Sequence, residues 1–292
     1  LDYYVLKQND VHEVLLTKDK EFLVHKREEY KLKQREISDE IYELKDFKHW
    51  TLKEIHDQEE TIMRSLNNKG RIKNASEVKL GGLENYIGEL LNIVNVILLG
   101  CGTSYHSGLI GANFLKSLCE FNSIQVIDGA ELTEKDIPRN GRTLFIFISQ
   151  SGETRDLYRC VQIAKDNNIL TMGVINVVDS MIAREVHCGV YCNSGREIGV
   201  ASTKAFTSQV VCLSLISIWF SQHQGINLQK RIQFINDLQN LPYHFKNTIQ
   251  KIFQPRRFKF AELFNYIKFE ELPISQVLNL SRDNSYEYFN NY

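Results

Sequence analysis

The chain has 292 residues and a formal net charge of -1, enough length for one large domain or two smaller ones around a well-buried core. Its 43% hydrophobic and 24% charged residues exclude wholesale disorder. The near-neutral charge gives no field to draw nucleic acid or an anionic membrane, so any anion must be recognised by a local site.

Residues 1–24 read as short strands at 3–7, 11–16 and 21–24, separated by the polar turns Gln8-Asn9-Asp10 and Thr17-Lys18-Asp19-Lys20. Residues 25–69 are dense in charge, with Ile37, Ile41 and Leu44 at three- and four-residue spacing. That pattern predicts an amphipathic helical linker, bounded here at 25–75. All sixteen glycines fall between Gly70 and Gly225, so the domain that needs tight strand-end turns is expected at 76–225.

Inside that window strands are predicted at 94–99, 123–127, 143–148, 170–175 and 188–191, with helices at 105–118, 153–167 and 202–222. This alternation predicts an α/β fold, a three-layer α-β-α sandwich around a five-stranded parallel sheet in flavodoxin-like order. The longest apolar run, 210–220, is shorter than the about 20 residues that span a bilayer and reads as a buried helix. No signal peptide is recognised in the charged N-terminal stretch, and a chain starting at Leu1 is expected to be a fragment or a processed product. Residues 226–292 predict a helical extension, 228–252, and a tail without a fold signal.

Three polar turns follow apolar strands: Gly100-Cys101-Gly102-Thr103-Ser104, Ser149-Gln150-Ser151-Gly152-Glu153-Thr154, and Glu197-Ile198-Gly199-Val200-Ala201-Ser202-Thr203-Lys204. Hydroxyls and free backbone N–H groups at such strand-to-helix junctions suit a small anionic ligand such as a sugar phosphate. In the first turn, Thr103 and Ser104 are candidate donors. A dinucleotide fingerprint would need glycine where Tyr105 stands, although Asp128 mimics its ribose-binding acid. In the second, Ser149, Ser151 and Thr154 offer hydroxyls and Gln150 an amide, while Ser151 has an alternative reading as a plain helix cap.

In the third turn Ser202 is a plausible cap, and Val200 and Ala201 can present backbone groups to a sugar. Lys204 reads as a structural cation ahead of a phosphate contact. Glu153 and Glu197 are explained by helix-start electrostatics. His49, His106 and His187 stand isolated, with no nucleophile triad. The six cysteines read as reduced thiols of a cytoplasmic protein. Cys188 and Cys192 beside His187 lack the second ligand pair of a metal site, so no metal is expected.

These motifs carry a family resemblance. Cys101 to Tyr105, Ser149 to Thr154 and Glu197 to Thr207 resemble, in order and spacing, the first of the two SIS (sugar isomerase) domains of glutamine–fructose-6-phosphate aminotransferase. His49-Trp50-Thr51-Leu52-Lys53-Glu54-Ile55 resembles the linker helix before that domain, and residues 1–24 resemble the closing strands of its glutaminase domain. The resemblance implies a cytoplasmic, homodimeric enzyme making glucosamine 6-phosphate for UDP-N-acetylglucosamine synthesis, with no metal or organic cofactor. Thr103, Ser104, Ser149, Gln150, Ser151 and Thr154 would bind the hexose 6-phosphate, and Val200, Ala201 and Ser202 would line its sugar side.

The resemblance also implies an N-terminal cysteine nucleophile that acts on glutamine, and a second SIS domain supplying the catalytic glutamate, lysine and histidine. Neither finds a counterpart in a chain that begins Leu1-Asp2 and has no glycine after Gly225. No catalytic residue is therefore assigned, and the expectation is the sugar-binding part of a longer enzyme. Two other readings stand beside it, a non-enzymatic sugar-phosphate sensor and a small homodimeric sugar-phosphate isomerase.

Overall fold

The structure, a computed structural model, describes residues 3–8, 11–16, 31–33 and 44–252. It divides into two compact units, Leu1–Lys48 and His49–Tyr292. In the first, β1 (Tyr3–Gln8) pairs antiparallel with β2 (Val11–Leu16) and with β3 (Lys31–Lys33). The first two strands lie where alternation predicts them. β3 corrects the helical expectation for 25–69 at residues 31–33 alone, where Leu32 stands opposite Leu6 and strand pairing overrides a weak local helical pattern. Helices do occur in that range at Trp50–His56 and Gln58–Ser65. The strand expected at 21–24 and the tail after Ile252 lie outside the described residues.

The second unit opens with α1 (Trp50–His56) and α2 (Gln58–Ser65), and a short helix α3 (Ile87–Leu90) leads into the sheet. Five parallel strands follow: β4 (Ile93–Gly100), β5 (Ser123–Asp128), β6 (Arg142–Ser149), β7 (Leu170–Ile175) and β8 (Cys188–Tyr191). Their order across the sheet is β5-β4-β6-β7-β8, the flavodoxin-like order expected from the sequence.

The apolar runs of β4 and β6 follow from burial on both faces, because side chains alternate along a strand. Val96 and Leu98 join Leu144, Ile146, Ile148, Met172 and Val174 in one core. Ile97 and Leu99 join Phe145, Phe147 and Ile175 in the other. The first face is covered by α4 (Thr103–Leu118) and α7 (Lys204–Gln224), on which α2 and α8 (Leu228–Ile252) pack. The second is covered by α5 (Arg155–Asp166) and α6 (Met181–Glu185).

Helix α7 has the length and hydropathy of a membrane span, but its apolar residues lie inside the unit. A helix that is apolar all round belongs in a core, and each large side chain buried there, such as Trp219 or Phe220, contributes about 1.5–3 kcal/mol. Because all five strands run the same way, the turns leaving β4 and β6 emerge at one edge, where the strand order reverses.

Candidate functional site

At that edge a cavity of about 250 Å³ is walled by all three polar turns. Thr103 and Ser104 come from the first, Ser149, Gln150, Ser151 and Thr154 from the second, and Val200 and Ser202 from the third. Ala201 is exposed and is not part of the wall. Eight of the nine candidates named from the sequence are thus brought together.

The first turn depends on Gly100, where a Cβ would lie 2.7 Å from the backbone of Ser104. Helix α4 can therefore start directly on the strand end, and it begins at Thr103, two residues earlier than expected. Its first turn has no side-chain cap. The Ser104 and Tyr105 N–H groups donate to the Cys101 and Gly102 carbonyls at 3.2 and 3.1 Å, so what the turn offers an anion is the partial positive charge of the helix start. Ser104 is only 8% exposed, and its Oγ accepts a hydrogen bond from Gln209 Nε2 at 3.0 Å. Ser107 Oγ donates to Gln209 Oε1 at 3.0 Å, which orients the amide. The Ser104 hydroxyl proton is left free to donate into the cavity. Gln209 was not foreseen; its polar amide just before an apolar run was the available signal.

The second turn is built on Gly152, whose φ is +68° and where a Cβ would fall 1.9 Å from Ser180 Oγ. Ser149 Oγ accepts the Gly152 N–H at 2.9 Å, and Ser151 Oγ accepts the Glu153 N–H at 3.1 Å. Thr154 Oγ1 lies 3.5 Å from Ser149 Oγ. Since these serine oxygens accept locally, their protons can point outward, so the turn is biased toward donating. Helix α5 starts at Arg155 rather than at 153, without a side-chain cap. Ser151 therefore closes a turn and does not cap the helix. Glu153 reaches to α6 and accepts the Met181 N–H at 2.8 Å.

The third turn behaves differently. Thr203, not Ser202, is the N-cap of α7, and it makes no side-chain cap bond. The Glu197 carboxylate takes that place, accepting the N–H groups of Thr203 at 2.7 Å and Ala205 at 3.4 Å. An anion already sits at the start of α7, whereas no side chain caps α4 or α5, so an incoming anion is favoured at the first two turns. Lys204 is 3% exposed and is not part of the cavity wall. Burial lowers its pKa, while Glu54 and Asp57 act to raise it.

The cavity also takes in Cys101, Leu157, Glu197 and Gly199, which were not named as site residues. Burial, then the Asp128 carboxylate, push the Cys101 thiol up, so it stays protonated. Asp128 accepts the Ala130 N–H at 3.0 Å and closes its own turn. His187 Nδ1 accepts the Thr171 N–H at 3.1 Å, a structural role. Among the described residues no cluster of three or more His, Cys, Asp or Glu is placed to hold a metal ion.

Comparison with known proteins gives three kinds of likeness. The sequence profile of the SIS domain matches residues 89–218. Glutamine–fructose-6-phosphate aminotransferase (isomerizing) 2 of Homo sapiens is 37% identical over 206 residues, covering 70% of this chain and 30% of that protein. The isomerizing enzyme 1 of Arabidopsis thaliana is 34% identical over 207 residues, again 70% of this chain and 30% of the relative. The chain thus spans under a third of the length of these two curated relatives. The solved C-terminal domain of the glucosamine-fructose-6-phosphate aminotransferase from Francisella tularensis superposes with a TM-score of 0.61 at 28% identity. That superposition covers 69% of this chain and 56% of the other.

Proposed function

We propose, on the premise that residues 89–218 are a SIS domain, that the cavity binds a hexose 6-phosphate and that the chain is the sugar-phosphate-binding part of a glutamine–fructose-6-phosphate aminotransferase. The observation that carries this reading is the convergence of two uncapped helix starts and an array of donating hydroxyls on one cavity. Such a wall holds a phosphate without any fixed positive charge. Its volume of about 250 Å³ lies just below the roughly 300–1,000 Å³ of sites for larger small molecules, which suits one sugar phosphate. Thr103, Ser104, Ser149, Gln150, Ser151 and Thr154 would hold the phosphate, and Val200 and Ser202 would face the sugar.

Fructose 6-phosphate and glucosamine 6-phosphate are the two ligands this reading names, substrate and product of amino-sugar synthesis. Moving a proton between C1 and C2 of the sugar needs a base with a matched pKa. The carboxylate in the cavity wall, Glu197, is committed to the Thr203 and Ala205 amides. Binding is therefore assigned to this cavity, and proton transfer and glutamine hydrolysis to other parts of the enzyme. Six free cysteines go with a reducing, cytoplasmic setting.

Calorimetric titration with fructose 6-phosphate, glucosamine 6-phosphate and unphosphorylated fructose tests the reading. The two phosphates are expected to bind and fructose is not. Fructose binding as tightly as its 6-phosphate would overturn it.

A further inference from the structure

Glu54 sits on α1, ahead of the segment matched by the SIS profile, yet it is only 2% exposed. Its Oε1 accepts the N–H of Ile198 at 2.5 Å and that of Gly199 at 3.1 Å, and its Oε2 lies 3.2 Å from the same Gly199 nitrogen. A carboxylate this deeply buried is strongly disfavoured unless its oxygens are satisfied and its charge is balanced. The two amides satisfy it, and buried Lys204 lies close enough to feel its charge. Asp57 is already paired with Lys53 at 2.5 Å.

The contact depends on position 199 being glycine. A Cβ there would lie 2.5 Å from Glu54 Oε2 and 3.0 Å from Thr51 Oγ1, so a side chain would push the carboxylate away. The third turn is thus pinned at two places. Glu54 holds Ile198 and Gly199, and Glu197 holds the start of α7. Between the pins stand Val200, fully exposed at 105%, and Ser202, both on the cavity wall. Glu54 itself is not part of that wall.

We propose that Glu54 is a positioning residue for the sugar end of the cavity. By holding the Ile198 and Gly199 amides it sets where Gly199, Val200 and Ser202 stand, so α1 contributes to telling a hexose phosphate from bare phosphate. This rests on the phosphosugar reading given above. The first two turns, which would hold the phosphate itself, are built from their own hydrogen bonds and do not involve Glu54.

The test uses Glu54→Gln in the full 292-residue chain. Glutamine keeps the shape and one acceptor oxygen but sets an NH₂ group against an amide N–H. Hydrogen exchange at the Ile198 and Gly199 amides should quicken by about tenfold or more. Affinity for fructose 6-phosphate should fall about tenfold, while that for inorganic phosphate stays within about twofold. Glu54→Asp, which restores the charge at shorter reach, should recover part of the loss. Equal weakening toward both ligands would mark a general loss of structure and overturn the role of Glu54. Unchanged affinities in the variant, beside a wild-type chain that binds fructose 6-phosphate, overturn that role alone. A wild-type chain that binds no fructose 6-phosphate overturns the reading of the cavity. Unchanged exchange at residues 198 and 199 in the variant overturns the positioning role whatever is bound.

Discussion

Ser104, Ser149 and Ser151 each use their oxygen as an acceptor within the protein, from Gln209, Gly152 and Glu153. That arrangement makes them donors toward the cavity, and the first prediction follows. Ser151→Ala with Thr154→Ala should weaken fructose 6-phosphate binding about a hundredfold, the loss of two hydrogen bonds to a charged group. Stability should change by only about 1 kcal/mol, for the lost Ser151 turn contact. Calorimetry and urea unfolding on the same variant separate the two effects, and unchanged affinity would reduce the turn to local structure. Gly152 is the opposite case. Gly152→Ala combines a φ of +68° with a Cβ 1.9 Å from Ser180 Oγ, and should cost about 2–4 kcal/mol of stability in urea unfolding.

At the scale of elements, the helix starts decide what each turn can do. Helices α4 and α5 begin without a side-chain cap, and α7 begins on Glu197. Glu197→Gln should therefore destabilise the fold by about 1–2 kcal/mol, the value of a charged cap. A variant with an unchanged urea midpoint would deny Glu197 that role. The sequence placed α4, α5 and α7 within two residues of their true starts. It assigned Glu197 to helix-start electrostatics but gave the cap to Ser202, because Glu197 stands six residues before Thr203, beyond the local spacing that capping patterns use. β3 was missed for a related reason: Lys31-Leu32-Lys33 carries little strand signal until its backbone pairs with Val5-Leu6-Lys7.

For the whole molecule, the buried thiols set a behaviour that no single element shows. Burial pushes Cys119 and Cys188 up to about 12 and Cys160 up to about 11, from the ordinary 9.0. These raised values mean that the folded state holds its protons more tightly than the unfolded one. The contribution is fully present below about pH 9 and is lost as pH rises toward 11 to 12. Unfolding free energy should fall above pH 9 by up to about 1.4 kcal/mol per pH unit for each such thiol. Cys160→Ala should flatten that slope in urea titrations at pH 8 to 10.5, and an unaltered slope would remove Cys160 from the account. A further outcome follows from the committed Glu197 carboxylate. The chain should form no glucosamine 6-phosphate from fructose 6-phosphate and ammonia, and product in a coupled assay would contradict the division between binding and proton transfer.

Periodicity and glycine placement by themselves determined the α/β class, the five parallel strands and the edge where the three turns meet, because each is a local consequence of strand and helix spacing. Hydroxyl-rich turns likewise marked eight residues of the cavity wall before any contact was known. Only the tertiary structure decided that Ala201 stays outside it, that Gln209 orients Ser104 and that Glu54 holds the third turn from another helix. The last two decisions rest on hydrogen bonds between residues about a hundred or more positions apart, where buried polar groups must find partners that no stretch of sequence displays.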